Sequence, residues 1–128
     1  MLSFIINVPP RTKKNSSQVI HHGGRSFVVP SKHYQKFEKD CLKSIPSSYR
    51  NGINTPVNIK ALFYVDSRRR VDLTNLLNAL DDMLVKANVI EDDNCKIAAG
   101  HDGSRVYYDK EEPRIEVFIS EIPYEFES

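Results

Sequence analysis

Two groups of carboxylates bracket one stretch of the chain: Asp72 stands directly before it, and Glu91, Asp92 and Asp93 follow it. Carboxylates are what a hard divalent cation such as Mg2+ takes, one or two of them beside water and phosphate oxygens. A cation held this way neutralises a scissile phosphate and generates hydroxide near neutral pH, which is nuclease chemistry. Arg68, Arg69 and Arg70 lie immediately ahead of Asp72 and suit the flanking backbone phosphates. Each group also has a plainer reading. An Asp in front of a helix caps backbone N–H groups, here those of Thr74 or Asn75, and EDDN makes a solvated turn. Asp72 and Asp93 are also separated by a helix length, on the order of 22 Å. They meet only if the chain doubles back after that helix, or if the site is built across a boundary between two copies.

The elements that must position these residues are legible from periodicity. Leu73, Leu76, Leu77, Leu80, Leu84 and Ala87 fall at helical spacing and predict a helix from 73 to about 88, opened by Asp72. Val57, Ile59, Ala61, Phe63 and Val65 alternate, which predicts a half-buried strand over 57–65 that feeds the RRR turn. A second helix is expected after Pro30, with Ser31 as its N-cap and Tyr34, Phe37, Cys41, Leu42 and Ile45 on its apolar face; Pro46 stops it. Residues 2–8 read as a short buried strand closed by Pro9-Pro10, and 27–29, 96–100, 105–108 and 114–120 as further strands. The stretch between Arg11 and Arg25 is basic and polar with a Gly-Gly turn, a loop with at most an irregular hairpin, and without aromatics it suits phosphates better than base stacking. The tail EIPYEFES is expected to be ordered only in part. Strands and helices mixed without a regular βαβ rhythm indicate α+β.

The 128 residues suffice for one domain, 1–128, and composition is that of an ordinary globular protein. No apolar run is long enough to span a membrane, and the start of the chain is too polar for a secretory signal. Cys41 and Cys95 lack metal-ligand spacing and read as reduced thiols of a cytoplasmic protein. His21-His22 and His33 read as exposed, and His101-Asp102-Gly103 as a turn, although near an acidic site a His could serve as acid or base. The net charge of +1 conceals an asymmetry: residues 1–71 carry 13 Lys and Arg against Glu38, Asp40 and Asp66, whereas residues 72–128 carry 5 against 14 Asp and Glu. A basic surface for a polyanion beside an acidic cluster for cations is one meaning; interleaving of the halves in the fold is the other.

The segments RRRVDLTNLLNALDDML and KANVIEDDN resemble the RusA family of Holliday-junction resolvases, with its D-x-D-N-x-x-K segment opening a helix, an Asp near the middle, and an apolar pair with Asp-Asp after it. The strands at 57–65 and 114–120, and the opening VPP with Lys13-Lys14-Asn15, fall where the family has them, so the resemblance covers nearly the whole chain. It implies a small mixed β-sheet packed against two main helices. It also implies a Mg2+-dependent endodeoxyribonuclease, with Mn2+ as substitute, that resolves four-way junctions in recombination and repair without a nucleotide cofactor. Asp72 and Asp93 match the catalytic, metal-holding carboxylates, Asp92 is an accessory ligand, and Asn75 and Asp82 match the family's Asn and mid-helix Asp. Helix geometry argues against Asp82 as a ligand beside Asp72, about 15 Å along the axis. Lys13, Lys14 and Arg68 to Arg70 are the expected phosphate contacts. A homodimer matches the two-fold symmetry of a junction that needs two opposed nicks. Thr74 and Asn78 depart from the pattern, standing at a family Asp and a family Lys, as in a DLTN branch. The competing readings are a branched-DNA-binding protein with reduced or lost catalysis, and a nuclease for other branched DNA.

Overall fold

Strand β4 (Val57–Val65) has the bounds its alternation predicts, with Val57, Ile59, Ala61 and Phe63 buried on one face. Its neighbours build a mixed sheet. The strand β7 (Arg114–Glu121) pairs with it antiparallel, and β1 (Leu2–Ile6) pairs antiparallel with β7. The other edge of β4 takes two short parallel partners, β5 (Ala98–Gly100) at its start and β6 (Arg105–Tyr108) at its end. Between them the ladder is interrupted, and side chains fill in. Ser104 Oγ accepts the Ala61 N–H at 3.0 Å, while the Asn58 side chain accepts the Asp102 N–H at 2.8 Å and donates to its carbonyl at 3.1 Å. This computed structural model describes residues 1–13 and 17–123; Lys14 and residues 124–128 of the tail, both subjects of expectations above, lie outside the described residues.

Both long helices cover the same sheet face. In α1 (Lys32–Ser44) Ser31 Oγ accepts the Tyr34 N–H at 3.2 Å, the expected N-cap, and Tyr34, Phe37 and Cys41 are buried. In α2 (Leu73–Lys86) burial extends beyond the leucine stripe to Ala79, Asp81 and Met83. Ile6, Ile59, Leu80, Leu84, Val117 and their neighbours form one core, and each large side chain so buried contributes roughly 1.5–3 kcal/mol. The helix stops where Asn88 turns left-handed with φ 58°, a conformation Asn tolerates, and the Asn88 carbonyl accepts the Gly52 N–H at 2.7 Å.

Two expectations need correction. The basic stretch is no loose loop: β2 (Ser17–His22) and β3 (Arg25–Pro30) form a regular antiparallel hairpin, separate from the main sheet, around Gly23-Gly24 with φ of 58° and 74°. The strand expected at 27–29 lies within β3, whereas β2, with Val19 to His22 exposed, has no alternation to mark it in the sequence. The strand expected at 96–100 begins only at Ala98, because Asn94 holds the preceding turn: its side chain accepts the Lys96 N–H and its carbonyl the N–H groups of Ile97 and Ala98. Among the described residues no helix is long and apolar enough to cross a membrane, and Cys41 (buried) and Cys95 (exposed) are both free thiols.

Candidate active site

The end of β4 and the start of α2 bring the basic run against the first acidic residue. Arg68, Arg69 and Arg70 are all exposed; the Arg68 guanidinium lies 4.1 Å from the Tyr108 ring centroid, and the Arg69 N–H donates to Ser67 Oγ at 3.1 Å. Arg11, on the chain leaving β1, makes two 3.0 Å hydrogen bonds to the Asp66 carboxylate, which ties that chain to the end of β4 and holds the Asp66 carboxyl below its ordinary range.

Asp72 occupies the N-cap position without using its side chain as a cap. Its backbone carbonyl accepts the N–H groups of Asn75 and Leu76, while its carboxylate accepts from the Asn75 side-chain amide at 3.1 Å. The plainer capping reading is therefore corrected: the carboxylate lies exposed on the outer side of the helix. Asn75, Asn78 and Asp82 continue that stripe at helical spacing. A pocket of about 230 Å3 is lined by Lys13, Asn75, Asn78, Ala79 and Asp82. Lys13 Nζ stands 2.9 Å from Asp82 Oδ2 and 5.8 Å from the Tyr34 ring centroid. Burial, with the charges of Glu38 and Asp82 added, pushes the Tyr34 phenol well above its ordinary value.

Beyond α2 the acidic turn is exposed, as expected. Asp92 accepts from the Asn94 amide at 3.0 Å and from the Asp93 N–H at 2.8 Å, which holds its carboxyl below the ordinary value. Asp93 goes the other way: partial desolvation raises its carboxyl, and the neighbouring Asp92 and Asp82 charges add to this. The electrostatic companions of Asp93 are thus Asp92 and Asp82, and Asp72 stands at the N-terminus of α2, ten residues before Asp82. Among the described residues no three His, Cys, Asp or Glu side chains gather as a metal-binding group. The donors are oxygens, the right kind for a hard cation, but among the described residues three of them do not gather in one chain.

One buried pair escaped the sequence reading. Asp81 is buried in the core face of α2, where its Oδ2 lies 2.8 Å from His101 Nε2 and its Oδ1 has no hydrogen-bond partner among the described residues. The hydrogen bond to Asp81 raises the imidazole's pKa above its ordinary value, against the opposing effect of burial. The signal was present: Leu77, Asp81 and Leu84 fall at i, i+4 and i+7, which puts the Asp inside the apolar stripe.

The halves of opposite charge do interleave in part, through Lys13–Asp82 and through Lys86–Glu38 at 2.9 Å, yet Arg68 to Arg70 stay exposed beside Asp72. A search among curated proteins finds no match. A family model described as endodeoxyribonuclease RusA matches residues 7–120, a span that runs from the exit of β1 to the end of the sheet and takes in every acidic residue discussed above. With nearly the whole chain matched, the protein belongs to the RusA family of endodeoxyribonucleases.

Proposed function

We propose that this protein is a divalent-metal-dependent endonuclease that resolves four-way DNA junctions by paired nicks, as a homodimer, in recombination and repair. One juxtaposition carries the reading: an exposed carboxylate, Asp72, follows directly on the exposed cations Arg68 to Arg70 in a chain of a DNA-cleaving family. The reaction is hydrolysis of a phosphodiester, with water entering in line with the departing O3′. A bound Mg2+ or Mn2+ supplies charge neutralisation at the phosphate and a water of lowered pKa. Asp72 and Asp93 hold that cation, with Asp92 as an accessory ligand. In this reading the ligand set is completed by a second copy of the chain. A C2 dimer then has two such sites, matched to the two opposed strands of a two-fold junction.

Lys13, Lys14 and Arg68 to Arg70 contact phosphates. Lys13 has particular support: the family pattern has Lys where this chain has Asn78, and the pocket lined by Asn78 receives the Lys13 ammonium instead. A second reading, a junction-binding protein with catalysis reduced or lost, is favoured by Thr74, an exposed neutral residue at a family Asp position. A nicking assay on four-way-junction DNA with Mg2+ or Mn2+, run beside Asp72→Asn, separates the two. Paired nicks that vanish in Asp72→Asn support the enzyme; tight junction binding with no nicking in either metal supports the binder.

A further inference from the structure

The sheet face turned away from the helices carries a stack that ends in an open ring. Across β7, β4 and β6 the residues Arg114, Tyr64 and Tyr107 are direct cross-strand partners, so Arg114 and Tyr107 flank Tyr64 from opposite sides. The Arg114 guanidinium lies 3.8 Å from the Tyr64 centroid, and Tyr64 and Tyr107 stack with centroids 5.3 Å apart at 27°. Arg114 is fixed in place by Asp109 at 3.0 Å and Glu116 at 2.8 Å. Tyr107, the outer end of the stack, is 46% exposed on a strand whose only partner among the described residues is β4.

Two cations share this face without an ion pair among the described residues: Arg105, two residues before Tyr107 on the same strand and about 6.6 Å from it, and Lys60, whose ammonium lies 5.3 Å from the Phe118 ring centroid. A rigid aromatic stack with an open end and the Arg105 cation near it has the chemistry that takes up an unpaired nucleotide, base on ring and phosphate on cation. The location adds a second argument. Tyr108 projects to the opposite face of the same strand and carries Arg68, the first residue of the basic run before Asp72. A strand bound along Arg68 to Arg70 therefore needs only to turn round the β6 edge to reach Tyr107.

We propose that Tyr107, backed by Tyr64 and Arg114 and flanked by Arg105, is a stacking site for an unpaired nucleotide of the DNA substrate. The proposal rests on the reading of the protein as a DNA nuclease, but its test needs no turnover. The chain has six Tyr and no Trp, so its intrinsic emission is tyrosine emission, which a stacked base quenches. The experiment is a metal-free titration with an oligo(dT) of roughly a dozen nucleotides, followed by that quenching and by anisotropy of a labelled strand. Tyr107→Ala should weaken binding on the order of 10-fold or more, Tyr107→Phe should stay near wild type, and Arg105→Gln should lower the log–log salt slope by roughly 0.7. Absence of oligo(dT) binding by the wild type, or equal binding by a folded Tyr107→Ala, overturns the proposal. So does a shift of Tyr107→Ala to a smaller species in sedimentation, which identifies this face as a contact between copies. Failure of the wild type to nick junctions would instead strike the nuclease reading and leave this titration intact.

Discussion

Asp81 and Asp82 are adjacent on α2, and the roughly 100° between them separates two kinds of region. Asp81 lies in the core, 6% exposed, with His101 on one oxygen. Asp82 lies on the outer stripe with Lys13, both side chains about 40% exposed. A buried carboxylate is strongly dependent on its partner, because losing that partner leaves a desolvated group unmet. An exposed pair is worth about 1 kcal/mol or less, so its members are available to an incoming phosphate or cation at small cost to the fold. On the proposed function, one face of the helix carries stability and the other carries chemistry, and substitutions should separate them.

The largest effect is expected at the head of the outer stripe. Asp72→Asn, and likewise Asp93→Asn, should lower junction cleavage on the order of 100-fold or more, with junction binding kept or tightened as repulsion of phosphate falls. Both side chains are exposed, so thermal stability should stay within about 0.5 kcal/mol. Loss of stability in parallel with loss of cleavage, seen by urea denaturation, would break the division between the two faces.

On the core face the order reverses. Asp81→Ala should destabilise the protein by about 1–3 kcal/mol and change cleavage only through the population folded. The effect carries a pH signature. The pKa of His101 is raised in the folded state, so the pair's contribution is fully present below the imidazole's ordinary value of about 6.5 and is lost as pH rises through the raised folded-state value. Urea midpoints of wild type and His101→Gln should therefore differ most in mild acid and converge in alkali. A gap that does not change with pH means the pair is not held by charge.

The same contrast explains what the sequence made legible. Strand β4 and the N-cap of α1 came out as expected because Val57 to Phe63 alternate against one core, and Ser31 sits directly before the first apolar-periodic turn. Asp72 was legible as an acid beside cations, since neither depends on tertiary contacts. The hairpin strand β2 was not, because Val19 to His22 are all exposed and periodicity reports only burial. Asp81 was passed over as a charge among leucines, since its partner His101 arrives from a turn 20 residues later. The proximity of Asp93 to Asp82 depends on how the 91–96 turn folds back beside α2, and local pattern does not encode that.

A smaller effect is expected at Lys13, the partner of Asp82. Lys13→Met keeps a chain of similar length and removes the charge beside Asp82 and Tyr34, so stability should fall by no more than about 1 kcal/mol. DNA binding should weaken for all sequences, and the log–log salt dependence should flatten by roughly 0.9 if Lys13 leaves Asp82 for a phosphate. An unchanged slope would mean that Lys13 stays with Asp82 and serves the fold alone, which would move this pair to the structural side of the comparison.

The smallest effect in stability, and the sharpest test of the outer face, is at Thr74. It is exposed in the first turn of α2, a turn that contains no acidic residue. An Asp there faces the positive end of the helix dipole, so Thr74→Asp should stabilise by about 0.3–1 kcal/mol at low salt. That gain is expected whatever the site binds. The functional consequence is separate: one more carboxylate close to Asp72 should hold a divalent cation more tightly and lower the metal concentration needed for half-maximal cleavage. If Asp92 or Glu91 of a second copy already fills that ligand position, the added charge crowds the site. Neighbouring carboxyl pKa values then rise and the metal requirement stays the same or increases. A metal titration of wild type and Thr74→Asp, alongside their urea midpoints, reads both quantities. A stability gain with a lower metal requirement places a ligand vacancy at position 74, whereas the stability gain alone means the dipole is all that Thr74→Asp touches.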